Sequence, residues 1–304
     1  DRLVAGKGHR TRLAEAIEQQ APRERGGGRF LRFLQSTPVH IALVVIGLLW
    51  LVPTIGLFLT SLLSAEDYLE GGWWQIFSEP SKFTLENYSA IFHNETIMSS
   101  LVTTIWIAIG GTLLPIVIGA LAGYAFAWLE FPGRDWLFIV VIALLVVPLQ
   151  MALIPMFRIY ETVHINDTIW ALILFHTAFG LPFAIFLLRN FFIGIPKDLL
   201  EAARIDGASE VRIFLRLILP LGLPAIASLA IFQFLWTWND LLVALVFGRD
   251  TQPLTVAIYR QLAQFGANIE IIAPATFVSL VIPLAVFFAF QRYFVEGLLA
   301  GSVK

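Results

Sequence analysis

Six segments run for at least 21 residues without an Asp, Glu, Lys or Arg: residues 33–65, 96–129, 136–157, 168–188, 217–239 and 271–291. A helix crosses roughly 30 Å of hydrocarbon with about 20 mainly apolar residues. Barrel strands would be about 10 residues long with alternating polarity, and these segments are too long for that. The pattern predicts an all-α integral membrane protein with six transmembrane helices, the fifth continuing past Asp240 to about Phe247. Every span contains proline: Pro53, Pro115, Pro148 and Pro155, Pro182, Pro220 and Pro224, Pro274 and Pro283. Such kinks suit a bundle that encloses a pathway, because neighbouring helices satisfy the freed carbonyls.

Composition closes the alternatives. Hydrophobic residues make up 58% of the 304 and charged residues 14%, with a mean hydropathy of +0.79, whereas soluble domains carry about 25% charged residues. A soluble fold of this balance could not cover its own surface, and disorder is excluded for the same reason. The net charge of -2 excludes a basic nucleic-acid binder, and the absence of cysteine removes disulfides and thiolate metal sites.

Loop charges set the orientation. With the N-terminus inside, 16 Lys and Arg fall on the inner side, and only Lys82, Arg158, Arg249 and Arg260 fall outside. The positive-inside rule then predicts that both termini are cytoplasmic. Residues 1–37 read as a charged cytoplasmic tail with Gly26–Gly28 as a flexible joint, ahead of a membrane domain over 38–304. The tail lacks the closely following apolar core of a signal peptide, and Asp1 leads us to expect that further sequence precedes it. The outer loop, residues 66–95, carries Glu66, Asp67, Glu70, Glu79, Glu86 and Glu95 around Trp73 and Trp74, which we read as interfacial anchors.

The loop between the fourth and fifth spans, residues 189–216, is the most structured. Pro196 opens a short helix, in which Leu199, Leu200 and Ala203 share one face. Gly207 permits a sharp change of direction, and Ser209 caps a second short helix. Glu201, Asp206 and Glu210 alternate with Arg204, Arg212 and Arg216. That mixed-charge polar face fits a protein groove better than anionic lipid.

Glu201-Ala202-Ala203, Gly207 and Leu219-Pro220 match the "EAA" loop of permease subunits from ATP-binding-cassette importers. The fuller string, EAARIDGA followed by LPLGLP, resembles the oligosaccharide branch and is similar to the smaller permease of the maltose transporter. Leu217 stands where the family often has Ile, a conservative departure. Leu188-Arg-Asn-Phe-Phe, Trp236-Thr-Trp-Asn-Asp240 and the string from Gln291 to Lys304 extend the resemblance, which covers about Val39 to Lys304. With Gly71-Gly-Trp-Trp74 and Phe83-Thr-Leu-Glu-Asn-Tyr88, the overall pattern is most similar to α-glucoside permeases, leaving maltose, trehalose, sucrose and related sugars open.

The resemblance implies the type I importer permease fold in a prokaryotic cell membrane. It implies a second, homologous permease, two copies of a cytoplasmic ATPase and an external sugar-binding protein as partners, with membrane lipid around them. The chain has no G-x-x-x-x-G-K-[ST] phosphate loop. It is therefore expected not to be an enzyme and to hold no cofactor, ATP and Mg belonging to the partner ATPase. By the resemblance, Glu201, Ala202, Ala203, Arg204, Asp206 and Gly207 contact that ATPase, and the tail 294–304 reaches between its two copies.

In the fifth span Gln233, Trp236, Thr237 and Asp240 stand at i, i+3, i+4 and i+7, a single stripe on a helix, with Asn239 at its border and Trp238 nearly opposite. An acid at mid-span facing lipid costs about 2.5–3.5 kcal/mol or more, so the stripe should face the bundle interior. Polar groups beside an indole suit a sugar, which presents hydroxyls around apolar C–H faces. The alternatives are polar glue between helices and an ion-coupled secondary transporter using Asp240. An intramembrane enzyme is disfavoured, because His40, His164 and His176 have no partners at metal-ligand spacing.

Overall fold

The computed structural model describes the backbone of residues 27–263 and 268–302, and side chains over 38–263 and 268–292. The 1–26 part of the tail lies outside the described residues, as do the side chains of 294–304. The chain forms two compact units, 1–55 and 56–304. Among the described residues there is no strand.

Among the described residues, five helices are long and apolar enough to cross a membrane. They are α1 (Gly27–Ser61), α4 (Glu95–Trp128), α7 (Ile169–Ile193), α9 (Glu210–Trp238) and α12 (Ile269–Ser302). α5 (Arg134–Leu144) and α6 (Leu149–Thr162) pass the same test together and make a sixth candidate span when the bent pair is counted as one. The backbone of residues 27–37 is helical and continuous with the rest of α1.

The third apolar segment, 136–157, is thus not one helix: α5 and α6 are bent by 100°. The last turn of α5 tightens into Leu145→Ile142, Val146→Ala143 and Val147→Leu144 amide-to-carbonyl bonds. Pro148 follows at φ −63°, ψ 126°. It has no N–H to offer Leu144 and pushes the residue before it out of the helical region. The other in-helix prolines, Pro115, Pro182 and Pro224 among them, leave their helices continuous.

α9 is one helix containing a wide turn over Phe214–Ile218, where the Leu219 N–H reaches back to the Phe214 carbonyl. Pro220 has no N–H for Arg216, and the wide turn takes up that defect. The second short helix expected after Gly207 is therefore the beginning of the fifth span. At its other end α9 stops at Trp238, and the expected run to Phe247 is interrupted. The Asp240 carboxylate accepts the Val243 and Ala244 N–H groups at 3.1 and 2.9 Å and so starts a new helix, α10 (Leu242–Phe247).

α4 and α7 approach closely because α4 presents small residues to α7. A Cβ on Gly119 would lie 2.7 Å from that of Ala184, and one on Gly123 would lie 3.0 Å from the Arg189 backbone nitrogen. The loop between α1 and α4 folds into α2 (Ala65–Gly71), two 3₁₀ turns and α3 (Glu86–His93). Asn87 ties it to the end of α1 through the Ser61 and Leu63 carbonyls. Trp73 packs over Gly56, whereas Trp74 is 60% exposed. α11 (Leu254–Leu262) precedes α12.

Candidate functional site

Between α7 and α9 lies α8 (Lys197–Ile205), opened by Pro196 in an extended conformation. Its end is a Schellman turn: the Gly207 N–H bonds the Arg204 carbonyl and the Ala208 N–H bonds the Ala203 carbonyl. The turn needs the left-handed φ of +77° that Gly207 adopts. Ser209 Oγ then accepts the Arg212 N–H and starts α9. Helix stop, turn and restart therefore follow from local chemistry.

α8 is held by one face. Leu200 is fully buried among Leu188, Phe192, Ile213 and Phe214, and Ala203 packs half-buried against the same cluster. Leu199 does not share that face and is exposed. Trp128 Nε1 donates to the Phe192 carbonyl at 3.0 Å, joining α4 to the same end of the bundle. Glu201, Ala202, Asp206 and Gly207 are exposed together. Beside them Ile205 is 85% exposed. Sequence reasoning missed Ile205, although an apolar residue off the buried stripe of a short helix is itself the signal.

Charge on α8 divides into two pairs. Lys197 and Glu201 are 2.8 Å apart in an exposed i,i+4 pair. The Lys197 hydrogen bond holds the Glu201 carboxyl below the usual carboxylate range. Arg204 turns back into the chain: its Nε and Nη2 donate to the two Glu210 oxygens at 2.9 and 3.4 Å. That hydrogen bond raises the Arg204 pKa above its ordinary value. The Tyr124 hydroxyl, on α4, also donates to Glu210.

At the other end of α9 the polar stripe meets α4 and α7. Gln233 is buried and donates through Nε2 to the Gly111 and His176 carbonyls at 3.0 and 3.3 Å. Thr237 is buried against Gly111. His176 Nε2 stands 3.5 Å from Asp240 Oδ2, and the His176 ring meets Trp236 edge-on with centroids 5.1 Å apart. Thr237 Oγ1 and His176 Nδ1 are buried without a hydrogen-bond partner. A cavity lined in part by Thr104, His176, Thr237 and Asp240 has room for about one water.

The five residues of the expected pathway therefore separate. Gln233 and Thr237 lie within helix packing, and the Asp240 oxygens are already engaged. Trp236, 37% exposed, and Asn239 reach the surface. Phe232 is exposed on the same face, so the open stripe is Phe232, Trp236 and Asn239 at i, i+4 and i+7. Sequence reasoning missed Phe232 because an aromatic in an apolar span carries no polar signal. Trp238 points away and donates to the Ser279 carbonyl on α12 at 3.0 Å. Among the described residues no three His, Asp or Glu gather as metal ligands.

Comparison with known proteins adds independent findings. Residues 115–299 match the family described as binding-protein-dependent transport system inner membrane component. The chain is 46% identical over 282 residues to the osmoprotective compounds uptake permease protein of Synechocystis sp., covering 91% of this chain and 95% of that one. It is 51% identical over 233 residues to the alpha-glucoside transport system permease protein of Rhizobium meliloti, covering 74% of this chain and 61% of that one. In fold it is similar to a chain of the bacterial ABC transporter that imports the acidic polysaccharide alginate. The TM-score there is 0.70 at 20% identity, over 90% of this chain and all of that one.

Proposed function

Because the chain belongs to the family of binding-protein-dependent transport system inner membrane components, a multi-pass membrane protein, we propose that it is the permease subunit of an ATP-driven importer of oligosaccharides, with α-glucosides such as maltose, trehalose or sucrose as substrates. It forms half of the translocation pathway beside a homologous second permease. Two copies of an ABC ATPase, holding ATP and Mg, supply the nucleotide chemistry, and an external binding protein delivers the sugar. The α-glucoside permease relative supports the substrate class. The 16-to-4 division of Lys and Arg supports a cytoplasmic α8 and cytoplasmic termini.

One observation carries the coupling assignment: α8 is anchored by Leu200 and leaves Glu201, Ala202, Ile205 and Asp206 exposed as one mixed apolar and acidic face. Small and apolar residues rimmed by carboxylates suit a protein groove. Closure of the ATPases moves α8, and the spans anchored to it change their access between the two sides. The sugar passes the open stripe of Phe232, Trp236 and Asn239, where aromatic faces take C–H surfaces and the amide takes a hydroxyl. Gln233, Thr237 and Asp240 hold that stripe from behind. With both Asp240 oxygens engaged by α10, ion coupling through that acid gains no support.

The test is reconstitution of the two permeases, the ATPase and the binding protein in nanodiscs, with ATP hydrolysis measured against a panel of sugars. An α-glucoside together with the binding protein should stimulate hydrolysis. Purification of the chain without an ATPase in mild detergent, or stimulation by no α-glucoside, would overturn the reading.

A further inference from the structure

α8 is secured at its N-terminal half by Ile195 and Leu200, both buried. Its C-terminal half has a weaker hold. Asp206 and Gly207 are exposed, and a Cβ placed on Gly207 would meet nothing within 4 Å, so the turn is not wedged in place. Ala203 is only half-buried. Apolar contact of this kind is non-directional. Beyond the backbone bonds of the turn, directional side-chain contact with this half comes from the Glu210 carboxylate. It receives the forked Arg204 guanidinium from α8 and the Tyr124 hydroxyl from α4, and it belongs to the first turn of α9. An exposed ion pair alone contributes little. Here the Tyr124 side chain is buried and its ring packs on Phe214 at 5.3 Å, which fixes one donor before the pair forms.

We infer that Glu210 is a clamp that sets the angle of α8 and carries its movement to α4 and α9 at once, with Arg204 and Tyr124 as its positioning residues. This rests on the reading of α8 as the ATPase-docking helix. It also removes Arg204 from the docking face: its Nε and Nη2 are directed at Glu210 within the chain, not at a partner. A push on α8 then reaches two spans through charge-assisted hydrogen bonds, which resist rotation as well as separation. Without the clamp, α8 would pivot on Leu200, and ATPase closure would be dissipated in that pivot.

Two measurements in the assembled nanodisc complex test the clamp. The first compares Tyr124→Phe, Glu210→Gln and Arg204→Ala with the parent. Each variant should retain the ATPase at parental stoichiometry. Each should lose about tenfold of its sugar- and binding-protein-stimulated hydrolysis, the scale of one charge-assisted hydrogen bond. The combined Tyr124→Phe and Arg204→Ala variant should lose no more than Glu210→Gln, because the three act as a unit. The second measurement needs no sugar. Spin labels on Asp198→Cys and Glu130→Cys, in a chain with no native cysteine, should give one narrow distance distribution that broadens in Tyr124→Phe. An unchanged distribution in Tyr124→Phe overturns the clamp, and so does full stimulation in that variant. Loss of the ATPase from Arg204→Ala alone, with Tyr124→Phe normal, overturns it too by making Arg204 a docking contact. If no sugar stimulates the parent complex, the proposed function fails, and the clamp is decided by the spin-label distances.

Discussion

Gly180 and Gln233 are fitted to one another across α7 and α9: a Cβ on Gly180 would stand 2.5 Å from Gln233 Nε2. That nitrogen is the donor to the Gly111 and His176 carbonyls, so the bare backbone at Gly180 lets one amide join three helices. A methyl group there can be accommodated only by turning Gln233 away. Gly180→Ala should therefore cost about 1–3 kcal/mol, the penalty of an unsatisfied buried amide rather than of the clash. Gly180→Ala with Gln233→Leu should be less than additive. Thermal melts of the purified complex check both.

Gly207 has a left-handed φ of +77° in open space. A β-branched residue there meets no neighbour but is strained by about 1 kcal/mol or more. Gly207→Val should insert normally yet lose sugar-stimulated ATP hydrolysis, whereas Gly207→Asn, which tolerates the left-handed region, should keep most of it. Equal activity in the two variants would reduce the turn to a simple connector.

The two ends of the polar stripe should give different phenotypes. Trp236→Ala and Phe232→Ala truncate exposed aromatics and leave the Gln233 hydrogen bonds in place, so they should assemble and hydrolyse ATP but transport sugar with a raised KM. Asp240→Ala removes the cap of α10, worth about 1 kcal/mol, and leaves His176 facing a methyl group. It should lower the melting temperature and the yield of complex. Transport assays beside size-exclusion profiles separate these outcomes. A normal KM in Trp236→Ala would remove Trp236 from the pathway.

Orientation can be read directly because the chain has no cysteine. Glu86→Cys in the outer loop should react with an impermeant maleimide added to intact cells. Asp198→Cys should react only after the membrane is opened. Labelling of Asp198→Cys from outside would invert the topology.

The loop between α1 and α4 should loosen in acid. Ser64 donates to Asp67 at 2.6 Å, and Lys82 lies 3.2 Å from the same carboxylate. The Ser64 hydrogen bond, and after it Lys82, hold the Asp67 carboxyl below its usual range despite some desolvation. A lowered folded-state value contributes stability that is fully present above the ordinary carboxylate pKa of about 4 and is lost as pH falls from there through the lowered value. Hydrogen-exchange protection over residues 64–82, corrected for the intrinsic pH dependence of amide exchange, should therefore fall in the parent as pH drops below about 4. Asp67→Asn should remove that contribution to the pH dependence.

Much of this architecture is local physics and is legible residue by residue. Long uncharged segments mark spans because hydrocarbon tolerates no unpaired backbone and few charges. Pro196, Gly207 and Ser209 mark where a helix starts, stops and restarts because each acts on its own turn. Proline alone does not mark which span breaks: Pro148 stands at the bend between α5 and α6, while Pro115 and Pro182 lie within continuous helices. Other features are decided by neighbours that are distant in sequence. The stripe read from Gln233 to Asp240 is helical as expected up to Trp238. Which side of it opens depends on α4 and α7 closing over Gln233 and Thr237, leaving Phe232, Trp236 and Asn239 outside. Arg204 reads from sequence as one more charge on a docking face. Only folding brings it to a Glu210 carboxylate that also receives the Tyr124 hydroxyl, from 86 residues earlier in the chain. Periodicity fixes which residues share a face; only packing determines what that face meets.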